Sequence, residues 1–344
     1  MNRNLQIAID VMGGDNSPQI PVSATAKATF DMNIHFHLIG DEEKIQNVLN
    51  IVRYKQDNIT IHHTFESIDD DEYPGNVIRH KRNASMNIAT KMCGQGKVQA
   101  VISAGNTGAF ILSSIKNVPR IPRVNKVAMV SSFPTRKFLM RNKKNNSVIL
   151  DIGANNNCNA DDLVQFAIMG KNYYTILTKE KAPKIYLLNI GNESHKGGET
   201  LVNAYQQLSE NQQLYFRGNM EGNNIFNGEA DVIVCDGFAG NVVLKTTEGM
   251  VESMLKLGKY AADKNILWKA GMFLLNSGIK KIIPLLDYSE YGGAPILGFG
   301  KVVIKAHGRS NVNAFYNAIR IAEASCRNEL PNKIADEIIN TSGE

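Results

Sequence analysis

Residues Val232–Gly249, VIVCDGFAGNVVLKTTEG, decide how this chain is read. The stretch opens as the β-branched run of a buried strand and turns through Asp236, Gly237, Gly240 and Asn241. It then resumes as Val-Val-Leu-Lys-Thr-Thr-Glu, a helical pattern. Strand, glycine-bearing exit and helix make the repeating unit of a parallel α/β sheet. Similar apolar runs with Gly, Asp or Asn at their ends occur at Leu5–Asp10, Ile34–Gly40, Ala100–Asn106, Ser147–Asn155, Lys184–Gly191 and Lys301–Gly308. Their near-continuous Val, Ile and Leu content implies strands covered on both faces. The expected fold is therefore α/β, a doubly wound and mostly parallel sheet. No Pro-, Ser- or Gly-rich linker divides the chain. Residues 1–330 are read as a single catalytic domain, with a helical excursion over 249–287 and a C-terminal tail over 331–344. The polar insert Thr135–Ser147 reads as an exposed hairpin or loop.

Composition narrows the function classes. Of 344 residues, 43% are hydrophobic and 21% charged, the balance of a soluble globular protein. The net charge of +5 is too mild for a nucleic-acid binder but suits an anionic ligand or an acidic partner. Cys93, Cys158, Cys235 and Cys326 are widely spaced and form neither a zinc pattern nor a disulfide framework, which fits a reducing cytoplasm. The N-terminus lacks the layout of a secretory signal, and no apolar run reaches the roughly 18 residues of a membrane span. The patterns G-x-G-x-x-G after the first strand, G-x-x-x-x-G-K-[ST], H-E-x-x-H and G-x-S-x-G are absent, so no cofactor is expected.

Five strand exits carry polar, glycine-containing turns: Asp10–Pro18, Ser103–Ala109, Asp151–Asn157, Asn189–Glu199 and Asp236–Asn241. In open α/β sheets ligands bind beyond the carboxyl ends of the strands, where backbone amides and helix N-termini receive anions. Gathered at one end of the sheet, these exits would form a rim of donors. Each glycine pair can equally serve only to turn the chain.

The motifs IAIDVMGGDNSP (Ile7–Pro18), VISAGNTGA (Val101–Ala109), LDIGANNNCNADDLVQFAIMG (Leu150–Gly170), LLNIGNESHKG (Leu187–Gly197), DVIVCDGFAGNVVLKTTEG (Asp231–Gly249), YGGAPILG (Tyr291–Gly298) and KAHGRSNVNAFYNAI (Lys305–Ile319) resemble, in order, those of bacterial phosphate acyltransferase. The resemblance implies transfer of a fatty acyl group from acyl carrier protein to inorganic phosphate in phospholipid synthesis. The acyl phosphate would pass to a membrane-bound glycerol-3-phosphate acyltransferase. It further implies a homodimer and a fold similar to isocitrate and isopropylmalate dehydrogenases and phosphotransacetylases. Three departures stand out: Asn16 replaces a frequent His, Arg309 replaces a usual Ser, and Ile121–Thr135 lacks an Arg-Pro-Ala step.

Phosphate is already a nucleophilic anion, so attack on a thioester needs position and oxyanion stabilisation rather than a covalent enzyme intermediate. The matching motifs make Lys196 and Asn241 the candidate catalytic residues, one a point charge and the other a carboxamide donor. Candidate substrate-binding residues are Asp10, Gly13, Gly14, Asp15, Ser103, Gly105, Asn106, Thr107, Asn155, Asp236, Gly237, Gly240 and His307. Lys196 can also be read as a solvated loop cation and Asn241 as a helix cap. Asp236 can also be a turn brace, and His307 a structural histidine. Asp10, Asp15 and Asp151 lack metal-ligand spacing, and no metal is expected.

Residues Ile266–Leu286 carry large apolar side chains and lysines, among them Trp268, Lys269, Phe273, Leu274, Lys280 and Lys281. The segment could pack at a dimer interface, insert shallowly into an anionic membrane surface, or lie in the core. The expected location is cytoplasmic, with peripheral attachment at the inner face of the cell membrane. The rival readings are an isopropylmalate-type NAD-dependent dehydrogenase and a non-catalytic binder of acyl carrier protein or fatty acids.

Overall fold

The computed structural model describes residues 5–136, 146–264, 271 and 293–341. The first part of the chain contains β1 (Leu5–Asp10), α1 (Gln19–Asp31), β2 (Ile34–Gly40), α2 (Glu42–Leu49), β3 (Ile59–His63), α3 (Pro74–His80), α4 (Ser85–Gly94), β4 (Ala100–Ser103) and α5 (Thr107–Asn117). There follow β5 (Ala128–Pro134), β6 (Asn146–Leu150), α6 (Ala160–Thr178), β7 (Ile185–Asn189), α7 (Gly198–Glu210), β8 (Phe216–Glu221), β9 (Val232–Val234) and α8 (Gly237–Lys264). The last part contains β10 (Ala294–Leu297), β11 (Val302–Lys305), α9 (Val312–Arg327) and α10 (Leu330–Thr341).

Each apolar run read from the sequence supplies a strand. The strands escaping that reading are β3, β5, β8 and β10. β3 is only half-buried, β8 carries Arg217, Gly218 and Asn219, and β10 is four residues long with Pro295 inside it. The strands form one sheet in the order β3-β2-β1-β4-β11-β10-β5-β6-β9-β7-β8.

Burial on both faces follows from the strand period of two. On β1, Ile7 and Ile9 join Val22 of α1 and Phe315 of α9 in one core layer. Ala8 points to the opposite layer with Met86 of α4 and Phe110 of α5. On β6, Val148 and Leu150 pack with Phe166 of α6, while Ile149 faces the layer that contains Leu244 of α8. Of the tail expected over 331–344, residues 331–341 belong to the helix Leu330–Thr341, which buries Leu330, Ile334 and Ile338 in the layer that also holds α6.

Strand direction requires a correction to the single rim of exits. β3, β2, β1, β4 and β11 run parallel to one another, as do β6, β9, β7 and β8. Between these blocks, β10 is antiparallel to β11 and β5, and β5 is antiparallel to β6. Three reversals make the two parallel blocks run in opposite directions, so their exits do not share one end. The exits meet nonetheless. Lys305, the last residue of β11, pairs with Ala294, and Ile296 pairs with Met129, a register that places Ala294 beside Ser131. Leu150, the last residue of β6, pairs with the adjacent Val130. The carboxyl ends of the two blocks thus converge head to head on β5.

From the excursion expected over 249–287, residues 249–264 continue α8. Trp268, Lys269, Phe273, Leu274, Lys280 and Lys281 lie outside the described residues, as does most of the insert Thr135–Ser147. Among the described residues no helix is long and apolar enough to cross a membrane.

Candidate active site

A cavity of about 410 Å³ opens where the two carboxyl edges converge. The first block contributes Thr107 and Gly108 at the start of α5 and Lys305, Ala306, His307 and Gly308 at the end of β11. The second contributes Ile152 and Gly153 after β6 and Asn241, Leu244, Lys245 and Glu248 from α8. Met129, Ser131 and Ser132 of β5 join the two sides.

Each side is braced by a buried aspartate. Asp10, at the end of β1, accepts hydrogen bonds from Ser103 Oγ at 2.6 Å, Ser85 Oγ at 2.7 Å and the Met12 amide at 3.1 Å. Burial holds its pKa above the ordinary carboxylate value despite these donors and the nearby Lys305 charge. Ser103 Oγ also accepts the Gly105 amide at 3.1 Å. Asn106 caps α5, accepting the Ala109 amide while its Nδ2 donates to the carbonyls of Asp70 and Glu72. The exit is tight enough that a Cβ on Gly13 would lie 2.5 Å from the Gly105 nitrogen.

Asp151 follows β6 and accepts from the amides of Met129, Gly153, Ala154 and Asn155 and from Asn155 Nδ2, at 2.7–3.1 Å. Asn155 Nδ2 also donates to the Val127 carbonyl. Both Asp151 oxygens are committed to shaping this loop, and burial again raises the pKa. Asp236 caps α8, its Oδ1 accepting the Ala239 amide at 2.7 Å. Gly237 and Gly240 let the first turn of α8 settle onto the Asp151 loop. A Cβ on Gly240 would stand 1.9 Å from the Asp151 carbonyl oxygen.

Asn241 therefore lies inside the first turns of α8, and the cap is Asp236. Its side chain borders the cavity next to Gly153 and has no hydrogen-bond partner among the described residues. His307 Nδ1 accepts the Arg309 amide at 3.0 Å, which leaves the proton of the neutral ring on Nε2. Burial first, and then Lys305, lower its pKa, which favours the neutral ring. Lys305 is buried, and its Nζ donates to the carbonyls of Ala306 at 2.6 Å and Ala104 at 3.1 Å.

Of the residues read from sequence, the cavity wall collects Thr107, Asn241 and His307. Asp10, Gly13, Ser103, Gly105, Asn106, Asn155, Asp236, Gly237 and Gly240 support the wall from behind through the contacts above. Gly14 and Asp15 lie in the exposed or half-buried turn after β1, where the Asp15 amide donates to the Gly308 carbonyl and its carboxylate is 3.7 Å from Arg309 Nε. Lys196 is half-buried in the loop after β7 and does not border the cavity, while its carbonyl accepts Asn189 Nδ2 at 3.0 Å.

Comparison with known proteins decides the family. A family model described as "Fatty acid synthesis protein" matches residues 5–333. The phosphate acyltransferase of Dictyoglomus turgidum is 40% identical over 333 residues, covering 96% of this chain and 97% of that protein. That of Alkaliphilus oremlandii is 39% identical over 334 residues, covering 97% of each. The chain belongs to the phosphate acyltransferase family.

A phosphotransacetylase from Streptococcus pyogenes shares the fold of this phosphate acyltransferase family member, with a TM-score of 0.64 over 95% of both chains at 15% identity. The EutD phosphotransacetylase from Staphylococcus aureus superposes with a TM-score of 0.56 over 94% of each chain at 14% identity. The chain is thus an acyltransferase of lipid synthesis on an α/β fold with a mostly parallel sheet. Asn16 and Arg309 belong to neighbouring turns joined through Asp15. The sequence reading missed Lys305, Lys245, Glu248, Ser131 and Ser132. Two of these signals were legible: a lysine ending the apolar run Val302–Lys305, and a serine pair interrupting Ala128–Phe133.

Proposed function

We propose that this acyltransferase moves a fatty acyl group from acyl carrier protein to inorganic phosphate, yielding acyl phosphate. The observation that carries the reading is the Asn241 carboxamide, without a protein partner among the described residues, in the same cavity wall as Lys305, His307 and the Lys245–Glu248 ion pair. Such a wall suits an anion and a developing oxyanion. A phosphate oxygen attacks the thioester carbonyl carbon, and the carbonyl becomes a tetrahedral oxyanion that accepts from Asn241 Nδ2. Collapse breaks the C–S bond, and the carrier thiol leaves with a proton from solvent. Lys196 brings positive charge from the loop after β7, the strand beside β9. Ile111, Met129, Ile152 and Leu244 offer apolar surface for the first carbons of the acyl chain.

The same reading has the acyl phosphate consumed by a membrane-bound glycerol-3-phosphate acyltransferase, and has this protein act as a homodimer that attaches to anionic membrane surface through residues 266–286. α8 supports the dimer, because Met250, Met254 and Leu257 recur at i, i+4 and i+7 with exposures of 57, 63 and 65%.

The deciding experiment incubates long-chain acyl-ACP with the protein, with and without phosphate, and follows release of free carrier protein. Phosphate-dependent release is expected. Stable acyl-ACP at every phosphate concentration would remove the reaction and leave a binder.

A further inference from the structure

We propose that Lys305 is the cation that holds a phosphate oxyanion in this cavity. The assignment rests on the phosphate-consuming reading of the same site and goes beyond it by naming a residue and its chemistry.

Lys305 ends β11 at the level of Ser131, next to the level of Leu150 on the facing block, so its side chain stands where the two edges converge. It borders the cavity and is only 8% exposed. Two of its three N–H donors are fixed on the carbonyls of Ala104 and Ala306, which orient the ammonium without neutralising it.

No carboxylate among the described residues lies within ion-pair distance of Lys305. Asp10 is the nearby candidate, yet its oxygens are occupied by Ser85, Ser103 and the Met12 amide. A buried ammonium without a contact counter-ion carries a large desolvation cost that an anion entering the cavity would offset. The charges around it are Asp10 on β1, Asp70 before α3, and Lys245 on α8. Burial, only partly opposed by Asp70 and Asp10, brings the Lys305 pKa down to about 8, as expected of an ammonium short of negative charge. Lys305 and Asn241 thus line the same cavity.

The shared chemistry is a phosphate oxyanion, which can come from inorganic phosphate or from the phosphate of a phosphopantetheine arm. Thermal shifts of wild type, Lys305→Met and Lys305→Arg are measured against inorganic phosphate and, separately, against pantetheine 4′-phosphate. Removing a charged hydrogen-bond donor should weaken the recognised oxyanion about 10- to 100-fold in Lys305→Met, with Lys305→Arg intermediate. The ligand whose titration weakens identifies the source.

Equal affinities of wild type and Lys305→Met for both ligands would overturn the proposal, as would wild type binding neither. Should Lys305→Met fail to fold, Lys305→Gln, which removes the charge and keeps a polar donor, decides: unchanged affinity overturns the assignment and weakened affinity supports it. The acyl-ACP assay on wild type is separate. Loss of phosphate-dependent release there with oxyanion binding at Lys305 intact would sink the reaction and leave the binding residue.

Discussion

Gly240 and the Asp151 carbonyl lie so close that a methyl group on the glycine would come within 1.9 Å of the carbonyl oxygen. This contact seats α8 on the loop after β6 and so sets where Asn241 meets the cavity. Gly240→Ala should therefore displace the helix, with a cost of about 1–3 kcal/mol or more from overpacking against backbone. Chemical denaturation and turnover of the same preparation should both report the loss.

Asn241→Ala should separate chemistry from stability. The side chain has no protein hydrogen bond to lose among the described residues, so the unfolding free energy should stay within the range of a neutral surface change, about ±0.5 kcal/mol. Loss of an oxyanion donor should reduce kcat by roughly 10²–10³. Wild-type turnover in the folded variant would remove Asn241 from the mechanism.

Asp151→Asn should act in the opposite sense. The carboxylate accepts four backbone amides and the Asn155 side chain, and an amide nitrogen in place of one oxygen would face donors with a donor. A loss of stability on the order of 2–3 kcal/mol is expected, read as a lower urea midpoint.

Part of the acid sensitivity should arise far from the cavity, at the sheet edge. His37 Nε2 donates to Gln6 Oε1, so its neutral Nδ1 accepts from His62 Nε2 at 2.8 Å. A second proton on His37 would set N–H against N–H. Burial first, then His62 and His35, lower the His37 pKa from 6.5 to about 4, and burial followed by Lys97 and His35 lowers that of His62. Because the folded pKa lies below the unfolded one, the unfolded chain binds more protons in this interval. The neutral network's contribution is full above pH 6.5 and is lost as pH falls toward about 4. Thermal melts across that window should show the decline, and His37→Gln should flatten it.

The stripe Met250, Met254 and Leu257 should matter for assembly. If a second copy covers it, Met254→Glu with Leu257→Glu should shift sedimentation from dimer to monomer. An unchanged sedimentation coefficient would place the dimer contact elsewhere.

Much of the architecture was legible because buried parallel strands need continuous apolar runs and helices need caps and turns of limited chemistry. The exits after β1, β4, β6 and β9 could be named from glycine, asparagine and aspartate alone. Individual roles were harder. Asp10 and Asp236 look like ligand residues in one dimension, but the fold commits both oxygens of Asp10 to serines and a backbone amide and one oxygen of Asp236 to the Ala239 amide.

By itself, the sequence determined the strand-exit-helix alternation, the family and the residue types able to handle an anion, because these are local and periodic properties. The tertiary structure decided that two oppositely directed blocks meet head to head on β5, and that Lys305 rather than a loop lysine ends at their junction. Strand direction and register depend in part on the pairings of β10 with β5 and of β11 with β4, between residues more than a hundred positions apart. A lysine's meaning depends on which carbonyls and carboxylates those pairings bring beside it.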